Sequence, residues 1–251
     1  MVSVLINGAS GRMGKKVFEA AELSSNVKAV CGVDLTENLS NANFPIYDRF
    51  DSVKEKIDVV VDFSSPKSLD AVLNYCISNS CPAVLCSTGY TEDDINKIKT
   101  ASEKIAFFRS GNMSLGVNLL VDLVKKAASV LYGFDVEIIE KHHNQKVDAP
   151  SGTALMLADA VKSVDEEKFY TYGREGIVGK RQEKEIGIHA VRGGTIVGEH
   201  DVIFAGNFET VTLSHQATDR SVFANGAIKA AEYLANKTVG LFNMADVING
   251  K

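Results

Sequence analysis

One segment constrains the fold of this chain more than any other: Gly8-Ala9-Ser10-Gly11-Arg12-Met13-Gly14, which directly follows the apolar run VSVLIN (2–7) and leads into KKVFEAAEL (15–23). The run reads as a short buried strand, and Val17, Phe18 and Ala21 fall on one face of the helix that follows. In such a strand–turn–helix, Gly8 permits a tight turn, Gly11 lets the backbone approach a pyrophosphate, and Gly14 allows close packing of helix on strand. A diphosphate then meets the unpaired N–H groups at the helix N-terminus. The next strand-like run, VKAVCGVD, ends at Asp34, 20 residues after Gly14, where an acid accepts hydrogen bonds from adenosine ribose hydroxyls. The alternative is a glycine-rich turn with no ligand; the strand before it, the helix after it and the placed acid favour a dinucleotide site.

The same alternation continues. DVVVDFS, PAVLCSTG and IAFFRSGN read as strands, with helical periods in SPKSLDAVLNYCISN and in TEDDINKIKTASEK. Thr91 opens the latter helix, and Asp94 three residues later makes a short capping box. Strands alternating with helices imply βαβ units and a parallel sheet. From Asp34 to Asp58 only FPIYD looks strand-like. Near Asn112 the pattern changes to a long amphipathic helix (LGVNLLVDLVKKAASVL), a strand (FDVEIIEKHH), a helix (SGTALMLADAVKSV) and then three successive strand-like runs. That succession predicts an α+β second domain after an α/β first one, with a helical tail from Ser221. The length, 251 residues, accommodates two modest domains.

Composition excludes several classes. Hydrophobic residues make up 45% and charged residues 24%, an ordinary globular balance, and the net charge of −5 argues against nucleic-acid or membrane binding by bulk charge. No apolar run approaches the roughly 20 residues of a membrane span, and MVSVLINGASGRMG does not have the form of a signal peptide. Cys31, Cys76, Cys81 and Cys86 form no CxxC pair and fit no zinc motif, so they read as reduced, mostly buried thiols of a cytosolic protein.

Asp34 also bears on the choice of cofactor. A carboxylate there repels the 2′-phosphate of NADP and suits the free hydroxyls of NAD, and Leu35 supplies no charge. Arg12, Lys15 and Lys16 partly offset this, or form a solvated helix face. CSTGY (Cys86–Tyr90) and SGNMSLG (Ser110–Gly116) follow later strands, where open α/β sheets bind ligands. Their small and polar residues suit a nicotinamide pocket, and equally suit ordinary turns.

A second cluster of chemistry lies in EKHHNQKVDAPSGTA, Glu140 to Ala154. In an extended segment His142 and His143 point to opposite faces, which makes them poor joint metal ligands. Lys146 supplies a cation for a carboxylate. Ser151-Gly152-Thr153 opens a helix with its free N–H groups directed outward. Lysine, histidine and helix N-terminus together make a site for one or two carboxylates, and the other histidine gives or takes a proton near neutral pH. Surface residues of a polar loop are the alternative. His200 and His215 read as satisfied structural histidines of strands; His189 is left open. In RGGTIVGEH, Gly193-Gly194 fits a strand–turn–strand.

Taken together, NGASGRMG, the STG turn, GNMSLGVN, EKHHNQKVDAPSGTA, RGGTIVGEHDVIFAG and FANGAIKAAEYL resemble the 4-hydroxy-tetrahydrodipicolinate reductase (dihydrodipicolinate reductase) family of the diaminopimelate route to lysine. The resemblance runs almost end to end, and its histidine stretch is far more specific than the glycine turn. It implies an α/β Rossmann-type N-terminal domain over 1–113, completed by about 221–251, and a C-terminal α+β domain over 114–220 with an open mixed sheet for substrate binding and oligomerisation. It further implies a cytoplasmic homotetramer, a cyclic dicarboxylate substrate, no metal, and NADH or NADPH as hydride donor. By motif, Gly8, Ala9, Ser10, Gly11, Arg12 and Met13 hold the diphosphate and Asp34 the ribose. Cys86, Ser87 and Thr88, with Ser110, Gly111, Asn112 and Met113, line the nicotinamide side. His142 becomes the proton donor and acceptor with Lys146 as a second donor, while His143, Ser151, Gly152 and Thr153 bind substrate carboxylates. The departures are Leu35, where NADPH-using members often carry a basic residue, Cys86, where glycine is commoner, and 36–52, where no motif maps. The rival readings are another Rossmann imine or amino-acid dehydrogenase, a nicotinamide-binding protein without turnover, and a metal-dependent hydrolase built on the histidines.

Overall fold

The protein is described from a computed structural model, at residues 1–34 and 44–250. Leu35 and residues 36–43, on which part of the cofactor argument rests, lie outside the described residues. The chain divides into two compact units, Met1–Ser114 with Arg220–Lys251, and Leu115–Asp219.

In the first unit the chain runs β1 (Val2–Asn7), α1 (Arg12–Glu22), β2 (Val27–Val33), β3 (Ile46–Tyr47), β4 (Val59–Asp62), α2 (Leu69–Asn79), β5 (Ala83–Leu85), α3 (Glu92–Ser102) and β6 (Ala106–Arg109). β4 and β5 are buried at every position. Such uniformly apolar runs mark strands covered on both faces of a parallel sheet. The capping box of α3 is present in both directions, Asp94 N–H to Thr91 Oγ1 at 3.2 Å and Thr91 N–H to Asp94 Oδ2 at 2.9 Å.

The second unit contains α4 (Leu115–Val130), β7 (Asp135–His142), α5 (Gly152–Lys162), β8 (Phe169–Tyr172), β9 (Glu185–Arg192), β10 (Gly198–Ala205) and β11 (Thr210–Ala217). The chain then returns to the first unit with α6 (Ser221–Leu234), β12 (Gly240–Phe242) and α7 (Met244–Ile248).

The first unit's sheet has the order β12-β6-β5-β4-β1-β2-β3, with every neighbouring pair parallel. Strand order reverses between β1 and β4, and the carboxyl ends of strands at such a reversal form a ligand crevice. One face of the sheet packs on α1, α6 and α7 through Val17, Ala21, Ala227, Ala231 and Met244; the other packs on α2 and α3 through Leu69, Val72, Cys76 and Ile98.

The second unit's sheet is mixed, in the order β11-β10-β7-β9-β8. β10 runs antiparallel to β7 and β11, while β7, β9 and β8 are parallel. β7 alternates half-buried and buried positions over its whole length. Val136 and Ile138 share a core with Leu157 and Val161 of α5, Val124 of α4, Ile186 and Ile188 of β9, and Val202 and Phe204 of β10. The same alternation places Glu140 and His142 on this face, beyond the apolar core. On the opposite face Glu137 accepts from Arg174 at 2.9 Å and from Arg181 at 3.0 Å, and its carboxyl is held down to about 2; burial opposes this and the hydrogen bonds from Arg174, His189 and Arg181 overcome it. No helix among the described residues is long and apolar enough to cross a membrane.

Candidate active site

At the crevice of the first unit, Gly8 takes φ +80°, a left-handed conformation that favours glycine. A Cβ at Gly14 would lie 2.2 Å from the Gly8 carbonyl oxygen and 2.7 Å from Ala9 Cα, so only glycine lets α1 start this close to the turn. α1 begins at Arg12 behind the N-cap Gly11, which supplies no side-chain cap, and helix geometry leaves its first N–H groups without intrahelical acceptors. Asp34, at the end of β2, accepts the Ser10 N–H at 2.8 Å, tying the acid to the same turn. The turn, the uncapped helix end and the placed carboxylate fit a dinucleotide's diphosphate and ribose. Ala9 is buried, Met13 half-buried against the core, and Arg12 exposed.

Across the reversal, β4 ends in Asp62, which is wholly buried. Its Oδ1 accepts from Asn7 Nδ2 at 2.8 Å and Ser64 Oγ at 2.5 Å, and its Oδ2 accepts from Ser87 Oγ at 3.0 Å and Tyr90 OH at 3.4 Å. Its carbonyl accepts the Cys86 N–H at 2.9 Å. One carboxylate thus draws together the ends of β1, β4 and β5, including the turn that carries Cys86, Ser87 and Thr88. Burial pushes the Cys86 thiol well above its ordinary range, with the charge of Asp62 adding to the effect. All four cysteines are free. After β6, Asn112 Oδ1 accepts the Ser114 N–H at 2.8 Å; Ser110 is half-buried, Gly111 exposed and Met113 buried.

The histidine cluster of the second unit is built at one end of its sheet. Glu140 is wholly buried and its carboxylate meets three groups. Arg192 of β9 donates to both oxygens, at 2.8 Å and 2.7 Å; the Ser151 N–H donates at 3.0 Å; and His142 Nδ1 lies 2.5 Å away. Burial works against ionisation of Glu140, but these hydrogen bonds prevail and hold its carboxyl below the ordinary range. His142 is pushed below the ordinary imidazole value by burial, which outweighs the raising effect of Glu140; Lys146 and Arg192 push the same way as burial. His143 stands just past the end of β7, half-buried where His142 is buried. Lys146 reaches Asp148 at 2.9 Å. Ser151 caps α5 by accepting the Ala154 N–H at 3.1 Å, and Gly152 and Thr153 form its first turn. Open space surrounds the position a Cβ would take at Gly152.

His200 is more than a satisfied strand histidine. Cross-strand register puts it beside Glu140, its Nε2 lies 3.0 Å from Ser151 Oγ, and its ring stands edge-on to His142 with centroids 5.2 Å apart. Its Nδ1 is buried with no hydrogen-bond partner among the described residues. Burial, with the neighbouring His142, pulls its pKa down to about 4, so it is neutral at neutral pH. His215, opposite it on β11, is also lowered by burial. His189 faces the other way and pairs with Glu137 at 2.7 Å. Among the described residues no group of three or more His, Cys, Asp or Glu side chains could hold a metal ion.

Four more residues join these sites without a role assigned to them from sequence: Glu140, Arg192, His200 and Asp62. A signal for Glu140 was present, because two-residue strand spacing puts it on the face of His142. One for Asp62 was too, as an acid closing the apolar run VVVD. Arg192 and His200 come from other strands and depend on register.

The N-terminal and C-terminal models of dihydrodipicolinate reductase match residues 2–113 and 116–248. The chain belongs to the dihydrodipicolinate reductase family. Family relatives named 4-hydroxy-tetrahydrodipicolinate reductase include one from Caldanaerobacter subterraneus subsp. tengcongensis, 49% identical across 99% of this chain and 98% of the relative. Another, from Clostridium novyi, is 47% identical across the whole of both chains. The solved dipicolinate-bound dihydrodipicolinate reductase from Paenisporosarcina sp. TG-14 superposes with a TM-score of 0.82 at 26% identity, covering 97% of each chain.

Proposed function

We propose that this family member reduces 4-hydroxy-tetrahydrodipicolinate to tetrahydrodipicolinate with NADH or NADPH, in the cytoplasmic route to diaminopimelate and lysine. The observation that carries the reading is the buried Glu140–His142 pair beside the Ser151-capped N-terminus of α5 and Lys146, a proton-transfer group next to an anion site. The Gly8–Gly14 turn, Asp34 and the uncapped start of α1 support a dinucleotide on the first unit. When bound, the nicotinamide supplies a hydride to the substrate ring.

This chain's own residues do the rest. Gly152 and Thr153 offer backbone N–H groups to one carboxylate, with Ser151 holding that helix end in shape through its bond to the Ala154 N–H. His143 and Lys146 serve the carboxylates from the preceding loop, Lys146 exchanging Asp148 for the substrate. The 4-hydroxyl leaves the ring as water to give the conjugated cyclic imine, and His142 gives a proton to the enamine-like anion left by hydride addition to it. Lys146 favours the developing charge and acts as the second donor. On the first unit, Gly8 to Met13 hold the diphosphate, Asp34 the ribose, and Cys86–Thr88 with Ser110–Met113 the nicotinamide side. The reading extends to NADH used at least as well as NADPH, and to a homotetramer built through the second unit's sheet, whose Glu137 face lies opposite the one that packs on α4 and α5.

The test is a coupled assay. With 4-hydroxy-tetrahydrodipicolinate supplied by its synthase, NADH absorbance falls in step with substrate. Oxidation of NADH with oxaloacetate plus ammonia and none with the ring substrate would instead favour an amino-acid dehydrogenase. Tight NADH binding with no turnover on either would favour a binding protein.

A further inference from the structure

We propose that Glu140 is a positioning residue that makes Nε2 the working nitrogen of His142, with Arg192 holding Glu140 in place and Gly198 leaving that nitrogen uncovered. The inference rests on the assignment of His142 as proton donor and goes on to say which atom works and what sets it.

An ionised carboxylate only accepts hydrogen bonds. Glu140 accepts both Arg192 bonds and the Ser151 N–H, so it stays ionised, and its 2.5 Å contact to His142 Nδ1 requires a proton on that nitrogen. In neutral His142 the basic lone pair is therefore on Nε2, the tautomer a buried carboxylate partner enforces. Nε2 points to the start of β10: a Cβ built at Gly198 would stand 3.0 Å from it and 3.4 Å from Cδ2. Any other residue at 198 would cover the nitrogen; glycine leaves it clear. The bidentate contact with Arg192 matters because Glu140 is wholly buried and a single contact would leave it free to turn away from the imidazole.

The charged and titratable groups facing His142 are Glu140 on its own strand, Arg192 on β9, Lys146 in the loop before α5, and His200 on β10, which stays neutral. Of these only Glu140 favours the imidazolium. Removing its charge leaves Arg192 and Lys146 unopposed.

The experiment is kcat against pH, with the fold checked by circular dichroism, for wild type, Glu140→Gln, the double variant Glu140→Gln/Arg192→Gln, and Gly198→Ala. In Glu140→Gln the amide oxygen turns to Arg192 and its NH2 to Nδ1, which forces the wrong tautomer. The expected result is a fall in kcat of about tenfold or more, part of the roughly 10²–10⁴-fold that a positioned acid supplies. Substrate KM stays within about threefold, and the alkaline limb of the profile moves to lower pH by about one unit, a change of about 1.4 kcal/mol in the balance of protonation states. The double variant avoids an unpaired arginine; with the Arg192 charge gone as well, its limb is expected to move less, while kcat still falls about tenfold or more because Nδ1 faces an amide in place of the carboxylate. Gly198→Ala is expected to lose kcat with NADH affinity unchanged. Glu140→Gln with the wild-type limb, or the double variant with wild-type kcat, overturns the proposal; loss of folded enzyme lowers the rate without moving a limb. His142→Ala in the same series separates the two ideas. Near-full kcat there sinks the proton-donor assignment; a large loss there with an unmoved limb in Glu140→Gln sinks only the role of Glu140.

Discussion

Gly14→Ala puts the cofactor turn under the most local stress a single methyl group can apply. The added Cβ would stand 2.2 Å from the Gly8 carbonyl oxygen, 2.7 Å from Ala9 Cα and 2.7 Å from the Ala9 carbonyl oxygen. Ordinary contact needs about 3.5–4 Å, so helix and turn must separate by more than about 1 Å. All three atoms are backbone, and no side-chain rotation relieves the clash. Moving α1 also disturbs Val17, Ala20 and Ala21, which are buried against the sheet. Alanine gains up to about 1 kcal/mol over glycine in helix propensity, against an overpacking cost of about 1–3 kcal/mol. Strain wins, and the midpoint of thermal unfolding should fall by a few degrees, at about 2–4 °C per kcal/mol for a chain of this size. The N–H groups proposed to meet the diphosphate move with the turn, so the Kd for NADH should rise by about tenfold or more, equivalent to about 1.4 kcal/mol. Fluorescence titration with NADH and thermal unfolding read the two effects separately. Wild-type values in both would refute the argument that glycine at 14 is required by the approach of α1 to the turn.

Three further outcomes follow from the same geometry. Asp34→Ala should weaken NADH more than NADPH in kcat/KM, and wild-type enzyme should not prefer NADPH by about tenfold or more, a gap of about 1.4 kcal/mol; such a preference would remove Asp34 as the determinant. His143→Ala should mainly raise substrate KM, while Lys146→Ala should lower kcat and raise KM together; equal effects on both parameters in both variants would contradict the division of labour. His200 carries its pKa down from 6.5 to about 4 on folding. The unfolded chain therefore binds the proton first as pH falls, and stability present above pH ~6.5 is lost down to pH ~4, by up to about 3 kcal/mol at about 1.4 kcal/mol per unit. Urea unfolding across that window should show the slope in wild type and a flatter line in His200→Gln; equal slopes would contradict the burial argument.

The elements with strong local signals were legible in the sequence. VSVLIN, VKAVCGVD and DVVVDFS contain β1, β2 and β4, and the Thr91–Asp94 box opens α3. β8, four residues at an edge of the second sheet, leaves little local signal, because FYTY is short and the strand it pairs with is β9, more than a dozen residues on. The candidate site divided along the same line. His142, Lys146 and Ser151–Thr153 fall within one short stretch, so their chemistry is legible from local sequence. Arg192 and His200 join them only through register, Arg192 beside His142 and His200 beside Glu140. A polar group supplied across strands leaves no mark in local spacing, which is why His200 read as a histidine satisfied within its own strand. Asp62 escaped for a different reason: its partners Asn7, Ser64, Ser87 and Tyr90 are gathered from three strand ends by the parallel topology.

The central claim is that His142 delivers the proton that completes ring reduction. The measurement is steady-state NADH oxidation with 4-hydroxy-tetrahydrodipicolinate, which turns over only as fast as the ring anion is protonated if that step limits the rate, in wild type and in His142→Ala checked for native circular dichroism. Wild type should oxidise one NADH per substrate reduced, and His142→Ala should show a kcat lower by roughly 10²–10⁴ with substrate KM within a few-fold. Near-wild-type kcat in His142→Ala would contradict it and transfer the proton to Lys146 or a bound water.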